Sequence, residues 1–229
     1  MSRFYRFFAI LCVVGLAASS FAASKPSTKV GASAVWPLPE QFMADAHAAC
    51  DKTAPASIGP CIISQMAKAG ASDDAVSFAR ELYKQNGGDV GIMTGFQAVG
   101  PVDFAWITYP LRANTNYGLL FVNGKPEIVN VENLNLLDRK GMEQTPQFKD
   151  LKFQFPQVDL WPGDRDGKTW PNSQIGPDGG VQFTVGYPLI NGCHACARAG
   201  SAIFTWNFNA QGKFLGTTFV GMTPPPLQQ

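Results

Sequence analysis

The densest chemistry in this sequence lies in Asn191-Gly192-Cys193-His194-Ala195-Cys196. Two cysteines separated by two residues can exchange electrons with an external thiol or disulfide. A cation or a helix N-terminus beside Cys193 would lower its thiolate pKa, and Cys196 would resolve the mixed disulfide. His194, between them, is a residue type that stabilises a thiolate. A redox catalyst of this kind needs a strand before the motif and a long helix after it. A strand candidate precedes it. Ala197-Arg198-Ala199-Gly200, however, leaves barely one turn before the next strand, expected from about Ala202. The motif without that context is weak support for an oxidoreductase.

Two other uses of the motif are set aside. Covalent haem attachment needs His directly after the second cysteine, and Ala197 stands there. Cys193, His194 and Cys196, with His47 as a fourth candidate, are ligand types suited to zinc or copper. The chain has only 2 histidines, and adjacent Cys193 and His194 would both have to turn to one ion. No metal and no cofactor are therefore assigned. The favoured reading is a small structural disulfide that closes a loop between two strands, as exported proteins use routinely.

Export is written at the N-terminus. Arg3 and Arg6 give a positive start, Phe7 to Ala18 an uncharged and mostly apolar run, and Ser20-Phe21-Ala22 small residues at a cleavage site. Residues 1–22 thus read as a secretory signal, cut between Ala22 and Ala23. The apolar run falls short of the roughly 20 residues a membrane anchor needs. Cys12 lies inside this run and leaves with it. Loss of Arg3 and Arg6 takes 18 Lys+Arg to 16 against 17 Asp+Glu, a formal charge of −1. Such a balance has no electrostatic footprint for nucleic acid or an anionic membrane. No later segment is apolar enough to span a bilayer.

Four cysteines remain, Cys50, Cys61, Cys193 and Cys196. An even count in an exported chain favours disulfides. Local pairing gives Cys50–Cys61 and Cys193–Cys196; the alternative is two long bridges between the helical part and the sheet.

The elements that must position these residues follow from periodicity. Residues 23–35 are small and polar and are expected to form a flexible leader. Residues 36–222 are expected to form one domain. Phe42, Ala46, Ala49 and Cys50 share a helical face after Pro39, and His47 is expected to be half-buried beside them. Ile62, Ile63, Met66 and Ala67 make a second stripe closed by Gly70. A third helix is capped by Ser72, buries Ala75, Val76, Ala79, Leu82 and Tyr83, and stops at Asn86-Gly87-Gly88. Strands are expected within Val99–Leu111, at Tyr117–Val122 and Glu127–Val131 joined by a hairpin turn, at Phe148–Phe155, at Val181–Ile190, and in a hairpin Ile203–Phe208 with Phe214–Val220. Helices followed by strands predict an α+β fold, N-terminal helices on an antiparallel sheet of about five to seven strands. Residues 223–229 form a Pro-rich tail.

The long loop Asp159–Gly180 is a second candidate. Asp164-Arg165-Asp166-Gly167 fails as a calcium loop, because Pro162 occupies its first position and no Glu closes it. Trp161 and Trp170 flank this turn. Exposed, they would offer a platform for a sugar or protein ligand; buried, they cover the sheet. Loops this long in compact domains are often functional. A hydrolase would need His47, His194 or paired carboxylates in this loop, and no spacing singles these out. Asn86-Gly87-Gly88 ends a helix, the wrong end for phosphate. The sequence therefore predicts a non-catalytic exported protein of a bacterial envelope that binds a small ligand or a protein. An oxidoreductase using Cys193 and Cys196 is the alternative, and a wall or polysaccharide hydrolase a weaker one.

Overall fold

The computed structural model describes residues 30–113, 116–122, 128–162, 170–193 and 195–224. The segment read as a signal, residues 123–127, residues 163–169, His194 and most of the tail lie outside the described residues. Among the described residues three N-terminal helices, α1 (Phe42–Cys50), α2 (Ile58–Lys68) and α3 (Asp73–Gln85), precede the strands. Strands β1 (Ile92–Gln97), β2 (Asp103–Thr108), β3 (Tyr117–Val122) and β4 (Ile128–Asn130) form a four-stranded antiparallel sheet in chain order. Helices α4 (Arg139–Glu143) and α5 (Pro146–Gln154) then lead to a second antiparallel sheet. It contains β5 (Val158–Leu160), β6 (Asn172–Ile175), β7 (Val181–Asn191), β8 (Arg198–Phe208) and β9 (Phe214–Thr223). The α+β class and the helices-first order are as expected, with the strands divided between two sheets.

The first sheet is covered on both faces. Phe78 and Leu82 of α3 pack on Met93, Ala105, Ile107, Leu120 and Val122. The alternate residues Phe104, Trp106, Leu119 and Phe121 meet Phe183, Val185, Phe204 and Trp206 of the second sheet. Phe183 centres 4.6 Å from both Phe104 and Phe121. Double burial is why β2 and β3 read as nearly continuous apolar runs. In the second sheet β7 alternates buried and exposed side chains as far as Tyr187, since only one face is covered.

The capping signals act as expected in α3, where Ser72 Oγ accepts from the Ala75 amide at 3.1 Å. Gly70 and Gly87 take φ of +85° and +65°, ending α2 and α3 in the region where only glycine is unstrained.

Four expectations need correction. Residues 148–155 are not a strand. Thr145 caps α5 by accepting from the Phe148 amide, and Pro146 occupies its first turn. The same apolar residues fit spacings of three and four, and Phe153, which alternation would have buried, is 90% exposed. Second, β1 is a strand where none was expected, because Gly95 and a register shift break its alternation. Third, the loop Asp159–Gly180 contains part of β5 and all of β6, whose four residues are all exposed and carry no hydrophobic pattern. Fourth, residues 30–35 are not a free leader. Ala34 is buried, and the Trp36 amide donates to Met93 O at 2.8 Å.

Candidate functional site

The structure brings both local cysteine pairs to bonding distance. Cys50–Cys61 fastens the end of α1 to α2, with Cys50 inside the helical core. Cys193–Cys196 closes the β7–β8 connection, and both cysteines are exposed. The backbone around the second bond is held independently of it. Gly192 N donates to Gln157 O at 3.2 Å, and Gln157 N to Asn191 Oδ1 at 2.9 Å. Asn191 N donates to Ala197 O at 3.1 Å, and Cys196 N to Cys193 O at 2.8 Å. Gly192 has φ +98°, and a Cβ there would come within 2.8 Å of Gln157 Oε1. β8 starts at Arg198, sooner than expected, so no helix follows the motif to place a positive dipole end on Cys193.

The other sequence candidates are placed as follows. His47 is exposed, not half-buried, because the stripe Phe42, Ala46, Cys50 turns it outward. Trp170 is half-buried against Phe104 and Trp106, at ring separations of 5.7 and 5.4 Å, and those faces are closed to a ligand. Trp161 is half-buried, and its amide donates to Pro188 O at 2.9 Å. Asp159 pairs with Arg139 and accepts from the Leu160 amide at 2.7 Å, and Asp178 accepts from the Gly180 amide at 3.1 Å, so both carboxylates have structural partners. Asp164 and Asp166 lie outside the described residues. Among the described residues no three His, Cys, Asp or Glu side chains stand together as metal ligands would.

A site that no local pattern announces forms where α3, β4 and the β8–β9 turn converge. It is an open groove of about 630 Å³. Leu82, Ile128, Val129, Leu136 and Phe214 supply its apolar surface; Gln85, Asn86, Asn130, Asn133 and Lys213 supply polar groups. Asn130 Oδ1 accepts from the Glu132 amide at 2.8 Å, and Asn133 Oδ1 from the Asn135 amide at 3.2 Å. Each carbonyl oxygen thereby accepts one backbone amide, which fixes the side chain and leaves its two Nδ2 donors and the oxygen's second lone pair to offer. With the Lys213 ammonium the groove is rich in donors.

Its walls are braced from behind. Arg112, in the β2–β3 connection, donates from Nε to Asp89 at 2.7 Å and from Nη1 to Glu132 at 2.9 Å. Asp89 lies three residues beyond Asn86, and Glu132 two beyond Asn130, so this network fixes two lining segments at once. The guanidinium lies 3.5 Å over the Tyr109 ring. Gly91 and Gly118 make room for that ring: a Cβ on either would approach it within 3.0 and 2.6 Å.

The electrostatics follow from this enclosure. Burial first, then the negative charge of Glu132, pushes the Tyr109 phenol well above its ordinary range, against an opposing pull from Arg112. Burial works against the charge on Arg112, but the hydrogen bond and charge of Glu132, then those of Asp89, outweigh it and raise its pKa. The Arg112 cation is thereby held over a phenol that stays neutral. Asp89, Tyr109, Arg112 and Glu132 escape sequence reasoning because they are scattered over three connections, with no periodicity between them.

Comparison with known proteins finds no matching family, no similar curated protein and no similar solved structure.

Proposed function

We propose that this chain is an exported, non-catalytic binding protein of a bacterial envelope, and that its ligand sits in the groove between α3, β4 and the β8–β9 turn. The groove's composition carries this reading. Donors from Asn130, Asn133 and Lys213 line an apolar surface that ends in Phe214. That combination suits a ligand rich in acceptor oxygens with an apolar face, either neutral or singly anionic, such as an oligosaccharide or an extended peptide. Export is supported by the order of charge, apolar run and small residues over 1–22. Two disulfides are compatible with it. No helix among the described residues is long and apolar enough to cross a membrane.

The test is a titration of the protein with a trimer of N-acetylglucosamine and, separately, with an uncharged hexapeptide amide. Backbone NMR shifts report where each binds. Saturable shifts at residues 85–86, 128–133 and 213–214 are expected with one of the two probes. Lys213→Ala and Asn133→Ala, both at exposed positions, should each weaken binding about fivefold, the worth of one net hydrogen bond. Shifts that map elsewhere, or no saturation by either probe at millimolar concentration, would overturn the assignment.

A further inference from the structure

We infer that the Cys193–Cys196 loop is a thiol–disulfide exchange site that external dithiols can open and reclose while the fold stays intact. Three observations carry this. Both cysteines are exposed residues, unlike Cys50, which leaves their bond within reach of an external thiolate. The loop is already closed by two hydrogen bonds that do not involve sulfur, Asn191 N to Ala197 O and Cys196 N to Cys193 O, and two more anchor its entry at Asn191 and Gly192 to Gln157. Breaking the bond therefore frees little chain, and the two thiols stay side by side for reoxidation. By contrast, Cys50 is 2% exposed, and its bond links two helices through the buried core.

The substrate class is a dithiol, small or carried on a protein. One of its thiolates attacks Sγ of Cys193 or Cys196. The protein S–S bond breaks as the mixed disulfide forms, and the other cysteine leaves as a thiolate. The dithiol's second sulfur then attacks the mixed disulfide and releases the second cysteine. Two electrons and two protons pass to the protein, and the dithiol becomes a disulfide. An oxidised disulfide partner reverses every step. With no helix N-terminus at Cys193 to hold a thiolate, the site is assigned exchange with a partner and not the fast turnover of a dedicated catalyst.

The groove plays no part in this. β8 has 11 residues, so its two ends stand about 34 Å apart, with the disulfide at one and the groove at the other. The experiment titrates the intact protein with dithiothreitol, traps free thiols by alkylation and maps each cysteine by mass spectrometry. Circular dichroism follows the fold. Cys193 and Cys196 should become alkylated at a dithiothreitol concentration at least tenfold below that needed for Cys50 and Cys61, with the spectrum unchanged. Oxidised glutathione should then restore the bond. In Cys196→Ser, Cys193 should accumulate a mixed disulfide with glutathione. Reduction of both pairs together, or loss of the folded spectrum as Cys193 and Cys196 are reduced, would overturn the inference. A failed groove titration leaves this result untouched, and the reverse also holds.

Discussion

Behind the groove, the chain is held by charges that are partly to nearly buried; at the far end of β8 it is held by a covalent bond between two exposed residues. Glu132 is only 9% exposed at its side chain and Arg112 23%, whereas both sulfurs of Cys193–Cys196 belong to exposed residues. The stronger bond is the more dispensable of the two. A covalent link stabilises by what it denies the unfolded chain, and a ring closed by two intervening residues denies little. A buried ion network stabilises by never leaving one partner alone, so losing one member exposes the full cost of the others. Bond strength and structural importance are separate quantities, and burial decides the second.

The largest test of that contrast is Arg112→Met. It leaves Glu132 nearly buried without its cation, and Asp89 partly so. We expect a loss of about 2–3 kcal/mol in chemical denaturation, below the figure for a fully buried pair because the Asp89 side is wet. The groove should lose its probe affinity with it, since two of its lining segments are released. A cost under about 1 kcal/mol would mean that the backbone alone positions the groove.

Next in size is the double variant Cys193→Ser with Cys196→Ser. The chain-entropy model limits its cost to about 2 kcal/mol, and the four hydrogen bonds within the loop and at its entry should hold the loss to about half of that. Probe shifts in the groove should be unchanged. A larger loss, or an altered groove, would show that the covalent end governs the sheet after all.

The smallest effect at neutral pH belongs to Tyr109→Phe. The phenol oxygen is buried without a hydrogen-bond partner of ordinary geometry among the described residues, so removing it should change stability by less than about 0.5 kcal/mol at pH 7. Alkaline pH separates the two proteins. The folded-state pKa of Tyr109 is raised, so above pH 10 the unfolded chain releases a proton that the folded chain retains. The stability associated with Tyr109 is complete below pH 10 and is lost as pH rises beyond it. Tyr109→Phe should therefore show a shallower decline in melting temperature between pH 10 and 11. Parallel curves would place the phenol in contact with solvent.

How much of this was legible in the sequence differs by element. α3 was readable almost to the residue, because its cap, its acidic first turn and its glycine stop are local signals that agree. β3 and β7 were readable because a strand covered on two faces or on one has its own pattern. α5 was misread because Leu151 and Phe155 fit both periods, and only the Thr145 cap distinguishes them. β6 was invisible because four exposed residues show no burial pattern. For the sites, the cysteines declared themselves by type and spacing. The groove did not, since Asn86, Asn130 and Lys213 are ordinary turn and surface residues until the fold gathers them.

By itself, then, the sequence determined the α+β class and the helices-first order, because both follow from patterns close along the chain; it favoured local cysteine pairs, and the structure chose them over two long bridges. Only the tertiary structure decided that the strands form two stacked sheets, that Cys193–Cys196 faces water while Cys50 is sealed in the helical core, and that Arg112 draws Asp89 and Glu132 together over Tyr109. The physical reason is the range of the interaction. Periodicity and capping act over a few residues and leave a mark at each position. Burial and ion pairing between distant connections are properties of the packed chain, and no short stretch of sequence contains them.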